Sequence, residues 1–322
     1  MSEALLLLNG TDLDGLVSME AAIESQRAAF TGLATGAAIL GDRVLLPGND
    51  ASVAFSYAAR MSATSAPVTK FGSVVPANRE RGLPSVAAIV VVLDAVTGRP
   101  AAVLDGEAVT NLRTVAATAL AVDALAPDAR RIAILGWGAQ GRRHAEVIST
   151  RLKADRVTVF APSLSEASLA ASSQGVHGEV RWASSARACV ADADVVITCT
   201  TSATPLIEEA WLADARLVAT VGSFSPERRE VAPDVVHGRR VVVDHVPTAL
   251  RQYGPVVHEL GSGDLDAAAL VGLGEVLTGE ATIPPDARVL YGSVGVGIQD
   301  AAVVDLIIDA ARAAGRGTTL PW

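Results

Sequence analysis

Two hydrophobic rhythms divide the chain. Up to about residue 119, short apolar runs at 37–46, 53–60, 68–75 and 87–94 alternate with turn-forming segments such as Pro47-Gly48-Asn49-Asp50, Pro76-Ala77-Asn78 and Thr97-Gly98-Arg99-Pro100. Runs of this length, punctuated this way, predict β-strands. Residues 86–93 and 101–104 flank the last of these turns and predict a hairpin, and residues 4–8 predict a first strand. Met19, Ala22, Ile23 and Ala29 share one side of a helix over 18–29, and 110–125 predicts a strongly apolar helix.

From about 120 to 299 the rhythm becomes a regular alternation of strand and helix. Strands are predicted at 131–135, 157–160, 180–183, 195–199, 216–221, 240–244 and 289–292. Such alternation marks an α/β fold with a doubly wound parallel sheet of Rossmann type. A last helix over 298–313 stops at Ala314-Gly315-Arg316-Gly317, with glycine beyond a basic turn. The expected division is therefore 120–299 for the parallel-sheet domain, and 1–119 with 300–322 for an α+β domain.

The strand at 131–135 runs into Gly136-Trp137-Gly138-Ala139-Gln140-Gly141 and then into a helical run over 142–152. Glycines at G-x-G-x-x-G spacing between a strand and a helix predict a dinucleotide site. The first makes the tight turn, the second admits a pyrophosphate to the backbone, and the third lets helix and strand pack closely. Ligands of such sheets lie outside the carboxyl ends of the strands, which assigns Thr200, Thr201, Ser202 and Ser223 to the same cofactor. After the second strand, an NAD-selective site places an acid to grip the ribose 2′-hydroxyl. Here Ala161 stands in that place and no carboxylate follows before Glu166. NADP(H) is favoured and NAD(H) stays possible. Ser163 is a candidate for the 2′-phosphate, with Arg142 or Arg143 nearby; alternatively Ser163-Leu164-Ser165-Glu166 is a capping box.

Of 322 residues, 50% are hydrophobic, enough for a sizeable core. The longest apolar runs end after about eight residues, whereas a membrane-spanning helix needs roughly 20. A net charge of −9 argues against a nucleic-acid or anionic-membrane partner. Residues 4–8 lack the basic start and cleavage site of a signal peptide, and two cysteines without metal-ligand spacing, Cys189 and Cys199, fit a reduced, cytoplasmic chain. The five histidines form no metal-binding motif, so no metal site is expected. Lys70 and Lys153 are the only lysines among 26 basic residues, which draws attention to each.

Hydride transfer to an imine or ketone beside a carboxylate asks little of a protein. It needs a cation, preferably bidentate, for the carboxylate, and a positive or donor group near the reacting C=N. Arg113 opens an otherwise apolar helix, where a charge is costly unless paired or liganded. The bland alternative is an ion pair with Asp105 or Glu107. Lys70, within a predicted strand, and Arg43 are the other candidate cations, with a solvated strand face as their alternative.

Taken together, these runs resemble the ornithine cyclodeaminase/μ-crystallin family over nearly the whole chain. The likeness is carried by Lys70, Pro76-Ala77-Asn78, Gly82-Leu83-Pro84, Leu93-Asp94-Ala95-Val96-Thr97-Gly98, Leu104-Asp105-Gly106 and Thr110-Asn111-Leu112-Arg113-Thr114. It continues through the glycine motif, Gly222, Pro226, Arg229-Glu230 and Ser293-Val294-Gly295-Val296-Gly297-Ile298-Gln299-Asp300. The resemblance implies that Arg43, Lys70 and Arg113 hold the substrate carboxylate and its neighbours, with Lys70 and Arg113 as the catalytic pair. Phe224 and Ser293 fall at the substrate in the same reading. It also implies a homodimer built through the N-terminal domain. Cyclodeaminases of the family carry an acid two positions beyond the glycine matching Gly222; this chain has Phe224 there. Phenylalanine can neither accept a proton nor stabilise an ammonium by charge. The expected activity is therefore NAD(P)H-dependent reduction of small 2-imino carboxylates, of ketimine or Δ1-pyrroline-2-carboxylate type, reversible as amino-acid oxidation. An ornithine-type ammonia lyase and a non-catalytic, crystallin-like NADPH binder are the alternatives.

Overall fold

The computed structural model describes residues 4–322, apart from the side chain of Arg79, and divides into two compact units. One comprises Met1–Ala116 with Val296–Trp322, the other Ala117–Gly295.

In the discontinuous unit the strands are β1 (Ala4–Leu8), β2 (Ile39–Leu40), β3 (Val44–Pro47), β4 (Val53–Arg60), β5 (Val68–Val74), β6 (Val86–Leu93) and β7 (Pro100–Asp105). With the terminal strand Thr318–Pro321 they form one sheet in the order Thr318–Pro321, β1, β7, β6, β5, β4, β2, with β3 also on β4. The hairpin of β6 and β7 is antiparallel, as the turn between them predicts. The expected strand over 37–46 is two pieces instead: Gly41, Asp42 and Arg43 leave the ladder, so Arg43 sits in a connection and not on a strand face. Pro76-Ala77-Asn78, expected to be a turn, begins a short 3-10 helix, Pro76–Arg81. The helices Met19–Ala34 and Gly297–Ala314 cover one sheet face, burying Ile23, Phe30, Ile298 and Val304 with Val90 and Leu104.

Strand alternation decides which side chains of β5 reach that core. Val68, Lys70 and Gly72 point inward while Phe71 is exposed. Gly72 is required there, because a Cβ would stand 2.7 Å from the Phe55 ring.

The second unit is built on β8 (Arg131–Leu135), β9 (Arg156–Phe160), β10 (Glu179–Trp182), β11 (Val195–Thr198), β12 (Leu217–Thr220), β13 (Arg240–Val243), β14 (Val271–Gly272) and β15 (Val289–Gly292). All pairings are parallel, in the order β10, β9, β8, β11, β12, β15, β13, β14. The chain winds outward from β8 through β9 and β10, then returns to start the other half at β11. The switch point therefore lies between β8 and β11, where this class of sheet binds ligands. Buried on both faces, the central strands are nearly unbroken apolar runs, such as Val-Val-Ile-Thr in β11.

Candidate functional site

The discontinuous unit gathers charge around Asp300. Register sets Tyr57 of β4 directly opposite Lys70 of β5, both facing the helix Gly297–Ala314. Gly297 lets that helix begin against the tyrosine, since a Cβ would come within 2.8 Å of the Tyr57 ring. Asp300, in the first helical turn and 1% exposed, accepts from the Tyr57 hydroxyl at 3.0 Å and from Lys70 Nζ at 3.3 Å. Arg113 Nε lies 3.5 Å from the same carboxylate, and Arg113 Nη1 donates to Gln299 Oε1 at 3.1 Å. Lys70 Nζ also donates to the Thr110 hydroxyl, one helical turn before Arg113. Arg43 lays its guanidinium over the Tyr57 ring, 5.2 Å from the centroid.

Neither bland reading of the cations holds. Lys70 is 4% exposed and not on a solvated face, and Arg113 pairs with Asp300 and not with Asp105 or Glu107. Asp105 instead accepts the Glu107 and Ala108 N–H groups at the helix start. Among the described residues Lys70 and Arg113 thus share one carboxylate, with Arg43 over the neighbouring Tyr57 ring, an excess of positive charge that suits a carboxylate ligand. Burial lowers the Lys70 pKa, the Asp300 charge opposes that, and Arg113 reinforces it. Among the described residues, Arg113 Nε and Gln299 Nε2 are buried donors without a hydrogen-bond acceptor. Residue types and spacing did not single out Asp300 or Tyr57. A carboxylate at the head of an apolar helix was the signal, by the same reasoning applied to Arg113.

The second unit holds the glycine turn. Gly136 has φ of +98°, and a Cβ there would stand 2.5 Å from the Cys199 carbonyl oxygen. A Cβ on Gly141 would collide with the Gly136 carbonyl, whereas one on Gly138 would meet nothing within 4 Å. Gly138 caps the helix Ala139–Leu152 with no side-chain hydrogen bond, so no capping side chain occupies the first N–H groups of that helix. The geometry fits a dinucleotide: two glycines are consumed by packing, and the third leaves backbone accessible to a pyrophosphate. Trp137 Nε1 donates to Ser172 Oγ at 2.8 Å.

Other predicted residues lie nearby in this unit with differing environments. Ala139 and Thr201 are exposed, while Gln140, Thr200 and Ser202 are half-buried. Ser163 is exposed; Ser165, not Ser163, caps the next helix by accepting the Ser168 N–H at 3.2 Å. The sequence's capping box is therefore not formed: Ser165, two residues later than Ser163, is a simple N-cap whose N3 residue is Ser168. Ser223 has no exposure, and its hydroxyl donates to Glu230. Ser293 is buried on the end of β15, where its N–H donates to the Thr220 carbonyl. Phe224 packs at the edge of the core under the Arg228 guanidinium, 4.4 Å from its ring centroid.

A parallel sheet with a glycine-rich switch point, carried with a unit whose buried cations outnumber their anion, defines a nucleotide-dependent protein that handles carboxylates. Residues 5–315 match the ornithine cyclodeaminase/mu-crystallin family, and the chain belongs to that family. It is 30% identical to Delta(1)-pyrroline-2-carboxylate reductase 1 of Burkholderia multivorans, over 95% of this chain and 96% of that one. A Delta(1)-pyrroline-2-carboxylate/Delta(1)-piperideine-2-carboxylate reductase of Azospirillum brasilense is also 30% identical, over 97% of each chain. Among solved structures, the Thermococcus litoralis Delta(1)-pyrroline-2-carboxylate reductase in complex with NADH and L-proline superposes with a TM-score of 0.92. That structure is 27% identical and covers 98% of this chain and 100% of its own.

Proposed function

We propose that this protein is an NAD(P)H-dependent reductase of small 2-imino carboxylates, with Δ1-pyrroline-2-carboxylate and its six-membered homologue as the leading substrates. The observation that carries this reading is Lys70 and Arg113 sharing Asp300, with Arg43 over the neighbouring Tyr57 ring. Arg113 presents a planar fork to the substrate carboxylate, and Asp300 fixes that fork from behind. Lys70 is the proton-bearing group of the cluster and is oriented toward the imine nitrogen. A bound dihydronicotinamide would supply the hydride for the imine carbon, and the nitrogen would take its proton from Lys70, which solvent would reprotonate. Phe224, where cyclodeaminases have an acid, supports reduction over deamination, because an apolar ring under Arg228 offers the amino group no base.

NADP(H) is the favoured cofactor. Ala161 and the exposed Ser163 leave the end of β9 without a carboxylate to repel a 2′-phosphate. A homodimer is supported by the outer face of the first sheet. There Val44, Ser56, Phe71 and Ile89 form one cross-strand row, with Val44, Phe71 and Ile89 about half exposed. Exposed apolar side chains in such a row mark an association surface, and a second copy is the partner this reading assigns. The free thiols of Cys189 and Cys199 fit a cytoplasmic setting.

The test is consumption of NADPH and NADH against pyrroline-2-carboxylate, piperideine-2-carboxylate, and pyruvate with ammonia or methylamine. Turnover of a cyclic imine, with Arg113→Ala raising KM and lowering kcat while NADPH still binds, is the expected result. Ammonia release from ornithine without change in nicotinamide absorbance would establish the lyase instead. NADPH binding without turnover of any imine would leave only a ligand-holding protein.

A further inference from the structure

Glu230 is fully buried and bridges two loops at the carboxyl edge of the parallel sheet. Its Oε1 accepts from the Thr200 N–H and the Thr200 hydroxyl, both at 2.8 Å. Its Oε2 accepts from the Gly222 N–H at 2.8 Å and the Ser223 hydroxyl at 3.2 Å. The two hydroxyls are themselves supplied with donors: Thr200 Oγ1 accepts the Ser202 N–H at 3.3 Å, and Ser223 Oγ accepts the N–H of Glu230 at 3.1 Å. Two backbone N–H groups, which can only donate, and two hydroxyls converge on its two oxygens, an arrangement that favours the ionised form, and the Thr198 hydroxyl lies against the carboxylate as well. Burial pushes the carboxyl pKa up, and the same hydrogen bonds pull against it.

No cation pairs with Glu230 among the described residues. The titratable groups around it are Cys199, at the end of β11, and Tyr253, at the head of the helix Gly254–Ser262; burial raises both, so both stay neutral. Glu230 is thus a carboxylate without a paired cation in a low-dielectric setting, beneath the loops that follow β11 and β12; Asp244, the other buried carboxylate acting on Tyr253, lies at the end of β13.

Those loops belong to a particular end of the cofactor. On this class of sheet a dinucleotide sets its pyrophosphate on the turn after the first strand, here β8, and its selected ribose at the end of the next, here β9, so its adenosine half would occupy the β9 side. The nicotinamide half consequently falls on the β11 and β12 side. Donating a hydride removes two electrons with one proton and takes the ring from neutral to a charge of plus one.

We propose that Glu230 sets the charge balance of the bound nicotinamide. Its carboxylate favours the cationic oxidised ring over the neutral reduced one, making the bound cofactor a stronger hydride donor than the free one. The inference rests on the reading of a nicotinamide dinucleotide at the Gly136 turn, and is independent of which imine is reduced.

The experiment is a pair of binary titrations, NADP+ and NADPH, on the wild-type protein and on Glu230→Gln, followed by protein fluorescence or calorimetry without any imine. The Kd for NADP+ is expected to rise relative to that for NADPH by roughly three- to tenfold, the scale of one unit charge acting at an effective dielectric of about 20. Equal weakening of both, or no change in either, would mean that Glu230 only fastens the loops and would overturn the proposal. If Glu230→Gln does not fold, the wild-type ratio is followed from mildly alkaline pH downward. It should shift toward NADPH as the carboxylate takes up its proton, the 2′-phosphate cancelling between the two ligands; a flat ratio overturns the inference. A wild-type protein binding neither nucleotide would remove the functional reading itself.

Discussion

Lys70 and Asp300, 230 positions apart in the chain, form an ion pair from which water is almost wholly excluded, with Nζ 3.3 Å from Oδ1. Asp300 simultaneously holds Arg113 and Tyr57, so it is the one anion on which several buried groups depend.

Replacing Asp300 by Asn should therefore cost more than an ordinary surface charge. Removing one partner of a buried pair leaves the other uncompensated, a loss of about 3–5 kcal/mol. The expected result is a markedly earlier melting transition for Asp300→Asn than for wild type. Equal melting would show that Lys70 and Arg113 are paired elsewhere.

The pH dependence has a definite sign. Only protonated Lys70 adds its positive charge to the cluster that receives the anionic imine, and burial lowers its pKa from 10.5 while Asp300 raises it. KM for the imine should climb as pH rises toward that lowered pKa, earlier than for a solvated lysine. In Asp300→Asn the climb should begin at still lower pH. A KM profile that Asp300→Asn leaves in place would separate Lys70 from substrate binding.

The glycine turn yields a contrast between two alanine substitutions. Gly138→Ala places its methyl in open space, so melting should be unchanged while NADPH affinity falls, because the methyl obstructs the pyrophosphate's approach. Gly141→Ala drives a methyl into the Gly136 carbonyl and should lower stability by roughly 1–3 kcal/mol as well as affinity. Thermal melts beside nucleotide titrations read both.

His144 should limit stability in acid. Its Nδ1 donates to the Gln140 carbonyl at 2.8 Å and its Nε2 accepts from the Thr118 hydroxyl at 3.0 Å, the pattern of a neutral ring. Burial lowers its pKa from 6.5 to about 4. Between those values the unfolded chain binds the extra proton, so stability is complete above 6.5 and falls by roughly 3 kcal/mol on the way to 4. His144→Gln should flatten that limb of the stability profile, measured by denaturant midpoints across the range.

How far the sequence could reveal this arrangement depended on whether the signal was local. The glycine turn was legible because strand, turn and helix are contiguous, and Lys70 stood out because lysine is scarce in the chain. The doubly wound sheet followed from alternation, but its strand order and the short edge strand β14 did not, since two residues carry no periodicity. The pairing of β1 with Thr318–Pro321 joins opposite ends of the chain and was invisible for the same reason. Asp300 and Glu230 were both present in recognisable motifs, yet their roles required knowing which distant donors fold onto them. Ser163 shows the opposite failure: the right cap chemistry lay in view, and the backbone used the serine two positions on.

The return of the chain to its first unit after residue 295 has a consequence for biosynthesis. A polypeptide emerging from the ribosome completes its nucleotide-binding half before Asp300 has been translated. Until then Lys70 and Arg113 lack the anion that makes their burial tolerable, so the amino-terminal portion must wait for the final segment. Nonsense mutations just upstream of Gly297 should accordingly leave a protease-resistant central fragment flanked by an unfolded leader.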